Sequence, residues 1–380
     1  MPDTNFTHPM RKWEDILTIV SGKNQKNVET DNGQYPIYGS GGIIGRANAF
    51  LCEAGTTIVG RKGTINSPIY VNERFWNVDT AFGIVPGPEL LPKFLYYFCR
   101  HFNFKDLDKS TTIPSLAKRD LLAIKMVVPS LPEQERIVAR IEELFSELDK
   151  AVETLNTTKQ QLAVYRQAVI TTSFPELTSS NSVRLDEIAE ISGGITKGRD
   201  LSQQKTITLP YLRVANVQNG YLDLSQMKDI EVKLNEVDKY LLQEGDVLYT
   251  EGGDRDKLGR GTVWKNEIPR CVHQNHVFKA RLNQERALPQ YVAYWSMSVY
   301  ARDYFFKKGK QSVNLASINK TVLSALILPM PSLEEQASII NNIESRLSVC
   351  DQIEKTIEQS LQQAEALRQS ILKQAFEGRL

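Results

Sequence analysis

The sequence predicts an α+β protein. Two similar globular α/β lobes are joined by two long helices that form an antiparallel coiled coil, with pseudo-two-fold symmetry between the halves. Three observations predict it. Residues 131–174 recur without a gap as residues 333–376: Glu133-Gln134 matches Glu335-Gln336, Ile141-Glu142 matches Ile343-Glu344, Arg166-Gln167 matches Arg368-Gln369, and Phe174 matches Phe376. Both copies carry a heptad seam. The stretches before each copy share landmarks in the same order, as in Leu91-Pro92-Lys93 and Leu288-Pro289-Gln290.

The boundaries follow from these landmarks: a first lobe over 1–130, a spacer helix over 131–174, a linker over 175–183, a second lobe over 184–330 and a second spacer helix over 331–380. In the first lobe, residues 10–21 read as a short helix or strand entry closed by Gly22. Residues 50–77 alternate apolar and polar side chains between Gly, Asn and Pro, the pattern of half-buried strands. Residues 92–104 have helical apolar spacing, 110–114 form a polar loop, and 122–128 end the lobe as a strand. In the first spacer helix, position a holds Ile141, Leu148, Leu155, Leu162 and Val169, and position d holds Ile137, Leu144, Ala151, Thr158, Tyr165 and Thr172. No Gly or Pro interrupts 133–174, and some 40 residues at ~1.5 Å rise span on the order of 60 Å. The second copy holds a looser seam of Ile339, Ile343, Cys350, Ile353, Ile357, Ala364, Leu367 and Ile371, with Arg346 and Gln374 as exceptions. An isolated amphipathic helix is marginal, so each copy needs a partner; the nearest is the other copy running back antiparallel, the alternatives being separate bundles or pairing with another chain's helices.

The chain has 380 residues, enough for two cores, and a net charge of +1 that hides an asymmetry. Residues 131–174 carry a net of −2 and 331–380 a net of −3, which leaves +6 on the lobes. Basic lobes suit an anionic ligand. Four scattered cysteines without a CxxC spacing argue against a zinc site or disulfide framework and for a reducing, cytoplasmic location. No apolar run approaches the ~18 residues of a membrane span.

Several segments imitate catalytic motifs and fail on spacing. Residues 39–45 place the last Gly of a GxGxxG one position late, and Gly55 to Gly60 is followed by Arg61-Lys62 where a phosphate loop needs Lys and Ser/Thr. Asp223 with Glu231-Val232-Lys233 imitates a metal nuclease, but the first lobe has no counterpart. His273-Gln274-Asn275-His276 offers two metal ligands and no third. What remains is a set of polar and basic loops. Arg, Lys, Asn and Gln read base edges, and Lys, Ser and Thr hold phosphate. The candidate DNA contacts are Arg46, Arg61, Lys62, Thr64, Lys109, Ser110 and Thr111 in the first lobe. In the second they are Arg213, Asn216, Arg255, Lys257, Arg260, Gln274, Asn275, Lys308, Lys310 and Gln311. Gln160, Gln161, Arg166, Gln362, Gln363 and Arg368 on the helices are candidates for protein partners.

The order lobe, Pro-Ser-Leu-Pro-Glu-Gln helix, lobe, Pro-Ser-Leu-Glu-Glu-Gln helix, ending Ser-Ile-Leu-Lys-Gln-Ala-Phe-Glu-Gly-Arg-Leu, resembles the specificity subunit of type I restriction–modification systems. The Gly-Arg-Lys-Gly-Thr loop (60–64) and the segment Thr112-Ile113-Pro114-Ser115-Leu116 are similar to that family's target recognition domains. The resemblance implies a non-catalytic subunit whose two target recognition domains each read half of a bipartite sequence in double-stranded DNA. It implies helices that set the spacing and dock two modification subunits, with restriction subunits in the full complex. It places S-adenosylmethionine in the modification subunits, ATP and Mg in the restriction subunit, and no cofactor on this chain. A spacer of ~60 Å exceeds one ~34 Å turn of DNA, so the half-sites should be separate. The competing readings are a coiled-coil adaptor whose lobes bind proteins and, more remotely, a nuclease.

Overall fold

A computed structural model describes residues 9–253, 258–311 and 316–380. Arg255 and Lys257 therefore lie outside the described residues, as does the side chain of Gln311. The chain forms two compact units. Unit 1 takes residues up to Asn156 together with Glu358–Leu380, and unit 2 is Thr157–Ile357. Each long helix, Leu131–Thr172 and Leu333–Phe376, thus contributes one part to each unit.

The two units share one topology. In unit 1 an antiparallel sheet runs Leu17–Ser21, Ala81–Pro86, Thr56–Gly60, Ile69–Val71. In unit 2 the same order is Ala189–Ser192, Val277–Leu282, Val247–Thr250, Gly261–Val263. The inner strands Thr56–Gly60 and Val247–Thr250 are wholly buried, which accounts for their lack of apolar–polar alternation. A second sheet pairs Tyr35–Gly39 antiparallel with Gly42–Ala47 and parallel with Trp76–Asn77. Thr206–Leu212 pairs likewise with Lys228–Lys233 and Val272–His273. Gly22 and Gly194 each leave the first sheet under the second one, where a Cβ would stand 1.8 Å from Val78 O and 1.9 Å from His273 O. Both positions therefore need glycine.

Each unit's main lobe helix, Pro92–His101 or Pro289–Met297, opens with proline, whose missing N–H is an orphan in the first turn anyway. The candidates Lys308 and Lys310, predicted on a loop, lie on regular elements instead. Lys307 and Lys308 end a helix, Val299–Lys308, and Lys310 lies in a short strand.

The two long helices run antiparallel within each unit. In unit 2, Arg166 bonds Asp351 at 2.7 Å and Glu354 at 2.9 Å, Lys159 approaches Glu354, and Ile170 joins Ile343 in one cluster. In unit 1, Arg368 pairs with Asp149 and lies over the Phe145 ring, while Arg136 reaches the Leu380 carbonyl. Arg166–Asp351 and Arg368–Asp149 are the same pair under the repeat. The heptad a row is the closed part of the seam: Ile141, Leu162 and Val169 are buried, as are Ile343, Cys350, Ile357, Ala364 and Ile371. The d row is buried at Ile137 but opens at Tyr165, 49% exposed, and Leu367, 48% exposed. Small and polar d residues (Ala151, Thr158, Arg346, Gln374) cannot sustain a second apolar row.

Each helix is rooted by its glutamine. Gln134 is fully buried, accepts a hydrogen bond from Leu91 N at 2.8 Å and donates to Glu89 O and Pro129 O. Gln336 is equally buried and does the same with Leu288 N, Arg286 O and Pro331 O. The far end of the other helix completes each unit. Phe376 sits 5.2 Å from Phe94 and 5.5 Å from Phe98 in unit 1. Phe174 sits 5.2 Å from Tyr291 and 5.1 Å from Trp295 in unit 2.

His273 shows how one shared position has diverged. In unit 1 the side chain of buried Asn77 donates to Ala81 O at 3.2 Å, four residues on. In unit 2 the buried His273 Nδ1 makes the matching bond to Val277 O at 2.6 Å, and Nε2 has no partner among the described residues. Burial pushes the imidazole down from its usual 6.5 to about 4. As pH falls below the usual value the unfolded chain takes up a proton that the folded chain refuses. Stability is thus complete above pH 6.5 and declines toward pH 4, by ~3 kcal/mol. His273→Asn retains a donor for Val277 O and is expected to flatten that part of the profile, as read by urea unfolding at pH 7 and pH 4.5. An unchanged pH dependence would refute the assignment.

Candidate nucleic-acid interface

In each unit four connections meet at one end of the sheets. Unit 1 brings together the hairpin turn at Ser40-Gly41, the loop 60–64, the segment 77–80 and the loop 108–116. Gly63 N bonds Pro114 O at 2.9 Å, Leu116 N bonds Arg61 O at 2.9 Å, and the amides of Arg61 and Lys62 both bond Thr80 O. Gly63 takes φ +82°, and a Cβ there would stand 3.6 Å from Ser40 Oγ. Asp108 organises the fourth loop by accepting from Ser110 N, Ser110 Oγ and Ser115 N. The Ser110 hydroxyl and amide, then the Ser115 amide, hold this carboxyl below its usual range.

The predicted residues divide on this geometry. Lys62 and Thr64 are exposed on the cluster, and the Lys62 ammonium has no partner among the described residues. Arg61 is half-buried and fixed, with Nη1 3.3 Å from Asp79 O and its guanidinium 5.9 Å from the Phe82 ring centre. Ser110 and Thr111 are exposed, and Lys109 pairs with Asp120 at 2.8 Å. Arg46 is elsewhere. It opposes Pro36 rather than the hairpin tip, and its guanidinium bonds Gly33 O at 2.6 Å and Gln34 O at 2.8 Å. It braces this loop and remains exposed.

Unit 2 assembles the corresponding connections. The hairpin turn becomes a long connection over 213–227. Arg260 Nη1 bonds Gln218 Oε1 at 3.1 Å, and Gly220 N bonds Gly261 O. Glu251 N bonds His276 O, and His276 Nδ1 lies 2.6 Å from Glu251 Oε2. Gly252–Gly253 pairs with Ala316–Ser317, which also pairs with Lys310–Gln311. Gln274 and Asn275 are half-buried at this end, and Lys308 and Lys310 are exposed. Asn216, predicted as a contact, is a brace inside its connection. It is buried, accepts from Arg213 N at 3.0 Å and donates to Asp223 O at 2.8 Å, so it shapes the 213–227 connection. Arg213 is half-buried and donates to Gln226 O.

The imitations of catalytic motifs resolve into scaffold. Residues 39–45 are a hairpin tip and Gly55 to Gly60 a strand, and neither opens a helix that could receive phosphate. Among the described residues no group of three His, Cys, Asp or Glu side chains is placed to hold a metal, and no helix is long and apolar enough to cross a membrane. On the helices, Arg166 and Arg368 are engaged in the ion pairs described above. Gln160, Gln161, Gln362 and Gln363 are exposed, identical under the repeat, and without a hydrogen bond among the described residues.

Comparison with known proteins bears on this arrangement. The family model for the type I restriction modification DNA specificity domain matches twice, over residues 9–162 and 179–363. The chain is 25% identical over 327 residues to the type I restriction enzyme EcoKI specificity subunit of Escherichia coli (strain K12), covering 80% of this chain and 69% of that protein. It is 25% identical over 324 residues to the StySPI specificity subunit of Salmonella potsdam, with the same coverage. Among solved structures, a chain from work on complex assembly and conformational transition of the type I R-M system aligns with a TM-score of 0.73 at 17% identity, covering 98% of both chains. The HsdS subunit from Thermoanaerobacter tengcongensis aligns at 0.58 with 16% identity, covering 99% of this chain and 98% of that one. These two likenesses concern the fold. Two matches to one family model, one per lobe, settle membership: the chain belongs to the type I restriction–modification DNA specificity family.

Proposed function

We propose that the chain is the DNA-specificity subunit of a type I restriction–modification enzyme, each lobe reading one half of a bipartite duplex target through its four-loop cluster. The observation that carries the reading is the duplication of that cluster on one topology, with different side chains in each copy. A single scaffold presenting two unlike sets of loops is what two unlike half-sites require. The exposed Gln160-Gln161 and Gln362-Gln363 pairs, unchanged between repeats with no hydrogen bond among the described residues to maintain them, support docking of one partner type twice. That partner is a modification subunit, which binds S-adenosylmethionine and methylates adenine. A base flipped into a methylase pocket leaves that enzyme little room to read flanking sequence, so a separate reader complements it. ATP and Mg belong to a restriction subunit, and this chain holds neither.

The test is co-expression with a modification subunit followed by genome-wide methylation mapping, which should yield adenine methylation at a split motif. The adaptor reading expects no such motif and no salt-dependent DNA affinity for the assembled complex. Within this test Lys62→Ala should weaken DNA binding by the complex about tenfold and lower the slope of log affinity against log salt by about 1. An unchanged slope and affinity would remove Lys62 from the interface.

A further inference from the structure

The tip of the unit 1 hairpin carries apolar side chains where the surrounding loops are polar. Ile43 is 62% and Ile44 54% exposed, and Ile113, beside the Pro114 that bonds Gly63, is 63% exposed. A lone exposed isoleucine needs no explanation. Two consecutive ones on a strand do, because neighbouring strand residues point to opposite faces. The pairing register supplies the cause. Ile37 opposes Gly45 and Tyr38 opposes Ile43, so Ile44 is the extra residue of a β-bulge. The bulge turns both isoleucines outward. Such bulges re-aim side chains beside functional sites. Nothing in the fold of unit 1 requires the arrangement, since neither side chain is part of its buried core.

Resting on the DNA-reading role proposed above, we propose that Ile43 and Ile44 form a thymine-specific contact in the major groove, packing against the C5-methyl group of one or more thymines in the half-site read by unit 1. The tip is a two-stranded ribbon closed by a two-residue turn between Gly39 and Gly42. Strands ~4.8 Å apart with their side chains fit the major groove, ~12 Å wide, and not the minor groove, ~6 Å wide. Thymine alone among the bases offers a methyl group there, and apolar side chains read it. Lys62, exposed on the adjoining loop without an acidic partner among the described residues, supplies the complementary charge for the phosphates that flank the groove. Unit 2 has the 213–227 connection at the equivalent place, so this contact is particular to one half-site.

The experiment uses the chain assembled with its modification subunits and duplexes carrying the mapped target. Each thymine is replaced in turn by deoxyuridine, which lacks only the C5-methyl. For the native chain, at least one replacement in one half-site should weaken binding roughly fourfold, the worth of one buried methyl-sized group. In the Ile43→Ala/Ile44→Ala variant the same replacement should have no effect. A penalty of equal size in the variant, an absence of any penalty, or a target half-site without an A·T pair would each overturn the contact while leaving the DNA-reading role intact. Loss of DNA bending in the variant, with the deoxyuridine penalty retained, would assign the pair to a minor-groove wedge and also overturn it. A complex with no sequence preference at all would overturn the role beneath it as well.

Discussion

Removal of residues 371–380 is expected to unfold unit 1 and leave unit 2 folded. Leu372 is fully buried in the unit 1 core, Ile371 and Ala375 are nearly so, and Phe376 packs on Phe94, Phe98 and His101. Truncating one buried Leu or Ile to Ala costs about 2–5 kcal/mol. Losing Ile371, Leu372 and Phe376 together costs about 7–15 kcal/mol, comparable to the whole ~5–15 kcal/mol that holds a typical domain together. None of these residues lies in unit 2. Hydrogen exchange resolved along the chain is the appropriate measurement. Amides of Thr56–Gly60 and Pro92–His101 should lose protection, and those of Val247–Thr250 should keep it. Retained protection in unit 1 would show that its lobe folds without this segment. Phe376→Ala alone should produce a smaller loss of the same kind.

Gln134→Leu is expected to destabilise unit 1 by about 3–5 kcal/mol, although leucine nearly matches the volume and is more apolar. The amide it replaces satisfies the half-buried Leu91 N–H and Glu89 carbonyl and the buried Pro129 carbonyl at the junction of helix and lobe. Leaving a buried polar group unpaired costs about 1–3 kcal/mol each, more than the burial of a leucine side chain returns here. Gln336→Leu should act equally on unit 2, because its three bonds are the same. Gln160→Leu, on an exposed face, is the control and should stay within about 0.5 kcal/mol. Urea denaturation gives the comparison, and equal effects for Gln134 and Gln160 would refute the structural role.

Much of this architecture was legible in the sequence because it is written with short period and literal repetition. The helices, their direction and the common order of strands follow from heptads, from the recurring Glu-Gln and from landmarks such as Leu-Pro at 91 and 288. What was not legible depends on partners distant in the chain. Arg46 and Asn216 have the chemistry of base readers, and only the positions of Gly33, Gln34 and Asp223 make them braces. The pairing of Phe376 with Phe94 and of Phe174 with Tyr291 crosses the boundaries that helix and lobe patterns suggest. The outward turn of Ile43 and Ile44 depends on a one-residue slip in register, which composition does not record. Gln134 and Gln336 sit in the shared Pro-Ser-Leu-x-Glu-Gln start of both helices, and a polar side chain held constant at a helix start is the mark of a buried polar junction.

The two-segment make-up of unit 1 also sets a timetable. On a ribosome adding ~5–20 residues per second, Phe376 follows Phe94 by roughly 15 to 55 s. Over that interval the lobe that is made first holds an open apolar groove, with Phe94, Phe98, Ile137 and Ile141 waiting for their cover. Unit 2 has no such wait, since every segment of it is continuous from Thr157 to Ile357. The first-made half is therefore finished last, and nascent chains stalled before residue 371 should be the species that chaperones hold and that aggregates when they are scarce.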